Sequence, residues 1–153
     1  MAKDRQKIGI LGEFMVASRL VELGFITAPT LKNTARIDLL VSDGVSAKMV
    51  QVKATENKKN DWGCDLPKSP NKNLVYIFVK LNTTTSRIPE FYIVPSADVT
   101  KIIAKIDEEY QKQYMAKHGC PYNPDGTKKG FSHFSDRYVP LEKYKDNWNL
   151  LRK

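Results

Sequence analysis

Four polar residues in this chain, Glu13, Asp38, Gln51 and Lys53, stand out by their joint order and spacing. Asp38 lies inside the run from Ala35 to Val41, which is otherwise rich in Ile, Leu and Val, and Gln51 and Lys53 lie two apart inside the run from Ala47 to Thr55. Side chains alternate along a strand, so a spacing of two puts Gln51 and Lys53 on one face. Asp43-Gly44 between the two runs marks a turn. Folding the runs into a hairpin brings Asp38 within metal-sharing distance of Gln51. Glu13, in the apolar stretch upstream, adds a carboxylate to the same place if that stretch is a helix packed on the hairpin. Such a group suits divalent-metal hydrolysis. A phosphodiester repels nucleophiles because its oxygens are negative, and Mg²⁺ held by hard oxygen ligands neutralises that charge and lowers the pKa of a bound water. Asp38 is then the indispensable ligand, Gln51 a neutral amide oxygen and the Val52 carbonyl a third oxygen. Lys53 orients the attacking water or stabilises the charge that develops in the transition state.

The series Gly12-Glu13, Ile37-Asp38 and Gln51-Val52-Lys53 resembles the core of the PD-(D/E)xK nuclease superfamily, the restriction-endonuclease-like fold. The signature of that superfamily is an acidic residue on one strand followed by acid-x-Lys on the next. The stretch from Gly12 to Phe25, followed by Ile37 to Leu40, is also similar to the small resolvase-like branch that includes Holliday junction resolvases. The resemblance runs by motif from Ile8 to Thr55 and by element order through Val94 and the helix after it. From Gly119 onward nothing matches. The resemblance implies a Mg²⁺-dependent DNA endonuclease, with Mn²⁺ as a substitute ion, acting on branched or foreign DNA. Its catalytic residues are Glu13, Asp38, Gln51 and Lys53, and its metal ligands Glu13, Asp38, Gln51 and Val52. A homodimer is implied too, because a small nuclease of this type needs a second subunit to cut both strands.

Two departures qualify the match. Ile37 stands where the superfamily has proline, which is no ligand. Gln51 replaces the usual acid, which removes one negative charge and should weaken ion binding, with Glu13 as the compensating charge. The Gln-x-Lys form resembles a variant in some type I restriction subunits and in one class of transposon end-cleaving nuclease. The substitution keeps open an alternative, a catalytically silent DNA-binding module or nuclease subunit that retains the fold. A third reading is an α/β protein whose basic face binds RNA or another protein.

The elements that must position these residues follow from periodicity. Ile8, Leu11, Met15, Leu20 and Leu23 recur at helical spacing, with Val16 and Ala17 broadening the stripe, and Gly24 supplies the stop. Extended runs are expected after Gly24, at Ala35 to Val41, at Ala47 to Thr55 and briefly at Trp62 to Leu66. Asn73 to Leu81 is the most continuous apolar run and reads as a central strand, followed by Glu90 to Val94. Ser96 is the expected N-cap of a helix whose buried face is Val99, Ile102, Ile103, Ile106, Tyr110 and Tyr114. Gly119 to Asp136 reads as a long loop or flap, and Leu141 to Leu151 as a short helix returning Tyr144, Trp148 and Leu151 to the core. The fold class is therefore α/β, a central mixed β-sheet flanked by helices.

The chain has 153 residues, 41% of them hydrophobic, enough for one sizeable core and a single nuclease-like domain over 1–153. Lys and Arg number 25 against 17 Asp and Glu, a net charge of +8 that suits a polyanionic partner such as DNA. Lys58, Lys59, Lys68 and Lys72 flank the site as expected phosphate contacts, and Lys128, Lys129 and Arg137 line the later loop. Trp62 reads as a loop anchor rather than a base-stacking wedge. His118, His133 and Cys120 lack regular zinc spacing and a fourth ligand. Ser132, His133 and Asp136 have no nucleophile elbow around the serine. No glycine-rich phosphate cradle is present, and no organic cofactor is expected. Cys64 and Cys120 are too few and too far apart for a disulfide framework. The opening residues carry no cleavage signal and no run approaches a membrane span of about 18 apolar residues, so an unanchored cytoplasmic protein is expected.

Overall fold

The computed structural model describes residues 4–31, 36–65, 69–82, 88–122 and 131–152. Helix α1 spans Arg5–Glu22, starting earlier than the apolar pattern suggests because Asp4 caps it, accepting the Gln6 N–H at 3.0 Å. It stops where expected, with Gly24 in the left-handed region at φ 86°. Its buried stripe is Gly12, Val16 and Leu20. Leu11, expected inside, is on the outer side with Phe14 and Val21. The cause is the helix's approach to the sheet: a Cβ added at Gly12 would lie 2.5 Å from the Ala54 Cβ. An approach this close fixes which side of α1 faces inward and turns Leu11 away.

The strands are β1 Ile26–Pro29, β2 Leu39–Ser42, β3 Ala47–Thr55, β4 Asp61–Asp65, β5 Leu74–Lys80, β6 Glu90–Pro95 and β7 Phe131–Ser135. Helix α2, Ser96–His118, follows β6. A five-stranded sheet runs in the order β1-β2-β3-β5-β6, with β3 and β5 parallel and the other neighbours antiparallel. One face packs α1 and the C-terminal turns around Val16, Leu20, Val50, Val52, Ile77 and Trp148. The other packs α2 and the β4–β7 ribbon around Trp62, Tyr76, Phe78, Ile103 and Phe134. Strand β5 contributes to both cores, which is why its sequence is apolar without alternation. The result is the expected mixed sheet flanked by helices.

Three local expectations are corrected. Ser96 is not the cap of α2: Pro95 precedes the first turn, and the Ser96 hydroxyl instead accepts the Asn71 N–H at 3.2 Å. The segment read as a loop or flap after Gly119 contains β7, which pairs antiparallel with β4, Trp62 opposite Phe134. Phe134 is held there by stacking on Phe78 with ring centroids 3.9 Å apart, an interaction no local pattern encodes. The C-terminal helix is replaced by two short 3-10 turns, Glu142–Tyr144 and Trp148–Arg152. They are separated at Asp146, whose φ of 51° turns the chain and whose N–H bonds to the Phe91 carbonyl at 2.9 Å. Tyr144, Trp148 and Leu151 are nevertheless buried as expected. Among the described residues no helix is long and apolar enough to cross a membrane.

Candidate active site

The site forms where β2 ends and β3 continues. The β2–β3 register runs from Ser42 opposite Ala47 to Leu39 opposite Val50. Asp38, one residue before β2 rather than inside it, adds a last bond from its N–H to the Val50 carbonyl at 2.9 Å, and it lines one cleft with Gln51. The chain approaches through Arg36, at φ 54°, and Ile37, whose carbonyl is bonded by the Thr30 hydroxyl. The next edge amide of β3, that of Val52, would have met a longer β2. Instead it donates to Asp38 Oδ2 at 2.7 Å. This charge-assisted bond orients the carboxylate and leaves Oδ1 as the oxygen the bond does not use. Because the N–H and C=O of a strand residue lie on the same side, the Val52 carbonyl faces the same edge as Asp38.

Glu13 follows Gly12 directly, so the close crossing of α1 over β3 carries it to this edge. A cleft of about 410 Å³ is lined by Glu13, Asp38 and Gln51 together with Gln6, Gly9, Arg36 and Asp65. Gln51 is 5% exposed at its floor. Lys53 does not line the cleft. It stands beside it on the same face of β3 as Gln51, its Nζ 3.8 Å from Asp65 Oδ2. Behind both, burial pushes the Cys64 thiol up to about 11 and the Tyr76 hydroxyl up to about 12. Both side chains are buried, Cys64 0% and Tyr76 3% exposed, and charges near such a region interact more strongly than in water.

Sequence reading missed Asp65, Arg36 and Gln6. Gln6 has a legible signal, one and two helical turns from Gly9 and Glu13 on a common face. Asp65 has a fainter one, the alternation of buried Trp62 and Cys64 with polar neighbours in β4.

Of the three carboxylates that line the cleft, those of Glu13 and Asp38, with the Gln51 amide oxygen and the Val52 carbonyl, make a donor set that suits a hard cation. Among the described residues no three His, Cys, Asp or Glu side chains converge closely enough to hold a metal ion. An ion here depends on the Gln51 amide and the Val52 carbonyl as well as on Glu13 and Asp38. The other candidates disperse. His118 stacks on Tyr114, His133 pairs with Asp61 at 2.7 Å and Cys120 is exposed. Ser132 donates to Asp107 and Asp136 accepts from Asn60, so these two make no triad with His133. Trp62 is an anchor: its Nε1 donates to the Val79 carbonyl at 2.9 Å and it is 1% exposed. Lys58, Lys59, Lys72 and Arg137 are exposed, while Lys68, Lys128 and Lys129 lie outside the described residues. A second, more open depression beside Phe14 and Phe91 has one acid, Glu22, tied to Arg19 at 2.6 Å.

The fold is that of a nuclease-like α/β protein. The chain is similar to the solved structure of a bacterial homing endonuclease, I-Ssp6803I, with a TM-score of 0.54 and 15% identity over 94% of this chain and 87% of that one. At this identity the likeness is one of fold. No protein-family model matches the sequence, and no curated protein matches it significantly.

Proposed function

We propose that the chain is a Mg²⁺-dependent endonuclease that hydrolyses DNA phosphodiester bonds, acting as one domain and belonging to the PD-(D/E)xK superfamily. The observation that carries this reading is the Asp38 carboxylate, fixed by the Val52 amide at 2.7 Å, with buried Gln51 and Glu13 lining the same cleft. The shared fold with a homing endonuclease supports DNA as the substrate. Asp38, Glu13, the Gln51 amide and the Val52 carbonyl would hold Mg²⁺, or Mn²⁺ in its place, which when bound supplies charge neutralisation at the phosphate and an activated water. Asp38 enters the reaction already oriented, so no conformational search is needed to present its oxygen. Lys53 donates to the charge that develops on the reacting phosphate. Lys58, Lys59, Lys68 and Lys72 hold the DNA backbone without reading its sequence. Two copies in a homodimer would cut both strands, in the cytoplasm and on branched or foreign DNA.

One observation favours a second reading, a silent DNA-binding module: Gln51 is neutral, and among the described residues no three His, Cys, Asp or Glu side chains converge to hold a cation. Incubation with plasmid, nicked, flapped and four-way DNA in Mg²⁺ decides between them. Cleavage by the wild type and none by Asp38→Asn supports the endonuclease. Salt-sensitive binding with no cleavage of any substrate leaves the silent module.

A further inference from the structure

The acid missing from the motif at position 51 has a counterpart in the cleft wall. Asp65 reaches it from β4, which belongs to the separate ribbon with β7 and not to the main sheet. Its Oδ2 lies 3.8 Å from the Lys53 ammonium, the nearest salt-bridge partner of that lysine among the described residues. Lys53 is mostly buried, with 23% of its side chain exposed, and lies near the fully buried Cys64 thiol. A long, flexible ammonium in that setting has several rotamers and strong need of a counter-charge. In the usual arrangement an acid two residues before the lysine shares its strand face. Here Gln51 offers no charge, and the counter-charge comes from the end of β4.

We propose that Asp65 is the positioning residue of Lys53, holding its ammonium at the cleft rim until a DNA phosphate oxygen arrives. The inference rests on the hydrolytic reading above. Asp65, Glu13 and Asp38 do not converge closely enough to hold one ion together, and the proposal gives Asp65 no part in ion binding. It acts through the lysine alone. A negative group beside a polyanion opposes binding, so its presence there has to be offset by a gain in the chemical step.

The test uses Asp65→Asn, Asp65→Glu and Asp65→Ala in the full chain, with Lys53→Ala and the Lys53→Ala/Asp65→Ala double variant. Asp65→Asn is expected to bind duplex DNA in Ca²⁺ at least as tightly as the wild type while single-turnover cleavage in Mg²⁺ falls about tenfold or more. Asp65→Glu keeps the charge and should restore part of the rate. In the Lys53→Ala background, removing Asp65 should cost nothing further, because the two act as a unit. A purely structural role would weaken binding and melting temperature together and would persist in that background, which overturns the proposal. Cleavage unchanged in Asp65→Asn overturns it too. Acylation of lysines by an N-hydroxysuccinimide ester, read by mass spectrometry, gives a measure that needs no turnover: Lys53 should react several-fold faster in Asp65→Asn than in the wild type, and equal rates overturn the proposal. A wild type that cuts no substrate fails the hydrolytic reading, and the labelling still decides whether Asp65 holds Lys53.

Discussion

The Val52 amide and the Asp38 carboxylate are joined by a hydrogen bond of 2.7 Å that takes the place of a missing rung of sheet. Strand β2 begins only at Leu39, and the carboxylate of the residue before it satisfies the amide that a longer β2 would have satisfied. One bond thus closes the sheet edge and aims the residue on which the proposed chemistry depends.

This dual role separates two substitutions. Asp38→Asn keeps an oxygen acceptor for the Val52 amide and should leave urea stability near that of the wild type while abolishing metal-dependent cleavage. Asp38→Ala leaves a part-buried amide unpaired and should cost about 1–2 kcal/mol as well. Equal stability of the two variants would show that the bond contributes nothing to the fold.

Gln51 makes a sharper case because it is 5% exposed. A carboxylate at this position would be buried in the same cleft as Asp38, and without a cation the two charges repel. Gln51→Glu is therefore expected to melt below the wild type in chelator, to gain more from added Mg²⁺ than the wild type does, and to bind Mg²⁺ more tightly in a calorimetric titration. A variant with unchanged Mg²⁺ affinity would take Gln51 out of the ligand set and leave Glu13 and the Val52 carbonyl as partners of Asp38.

The main sheet is legible from sequence because its signals are local. The boundaries Ala47 to Thr55 are those of β3, and the continuous run ending at Leu81 contains β5, since burial on both faces demands it. Asp38 and Gln51 stand out as polar groups in strands rich in apolar residues, and Glu13 stands out only by its order and spacing relative to them. Asp65 does not, for its place is set by the pairing of β4 with β7 across a gap of dozens of residues. The Gly119 to Asp136 stretch reads as a loop for the same reason: β7 is held by Phe134 stacking on Phe78, and its own five residues carry little pattern. Leu11 reads as a buried residue of α1 because apolar periodicity treats Gly12 as blank, whereas the glycine is the point of closest approach.

Glycines in the middle of a helix are costly, and α1 has two with opposite surroundings. Nothing lies within 4 Å of a Cβ built on Gly9, while one built on Gly12 meets Ala54 at 2.5 Å. Gly9→Ala should raise stability by about 0.5–1 kcal/mol through helix propensity alone. Gly12→Ala should lower it by about 1–3 kcal/mol, because α1 must lift from β3. That lift would also carry Glu13 away from the cleft, so Mg²⁺ affinity should fall in Gly12→Ala and not through loss of fold. Chemical denaturation and metal titration of both variants check this; a Gly12→Ala protein as stable as the wild type would mean that the close crossing is not needed.

The lysines after Lys53 separate DNA binding from chemistry. Lys58 and Lys59 are exposed in the turn between β3 and β4, so removing them should leave the melting temperature unchanged. Each phosphate they neutralise releases condensed counterions, and the double Ala variant should flatten the log–log dependence of DNA affinity on salt by up to about one unit for each phosphate no longer neutralised. Lys53 should behave otherwise, because it is mostly buried and held beside Asp65. Its replacement by Ala should leave duplex affinity within a few-fold while cleavage drops by orders of magnitude, since its charge is needed only as the phosphate becomes more negative. Anisotropy titrations at several salt concentrations in Ca²⁺, run beside single-turnover cleavage in Mg²⁺, measure both quantities. Equal losses of binding and cleavage in Lys53→Ala would make it one more phosphate-binding lysine, and an unaltered salt slope in the double variant would move the DNA path away from the β3–β4 turn.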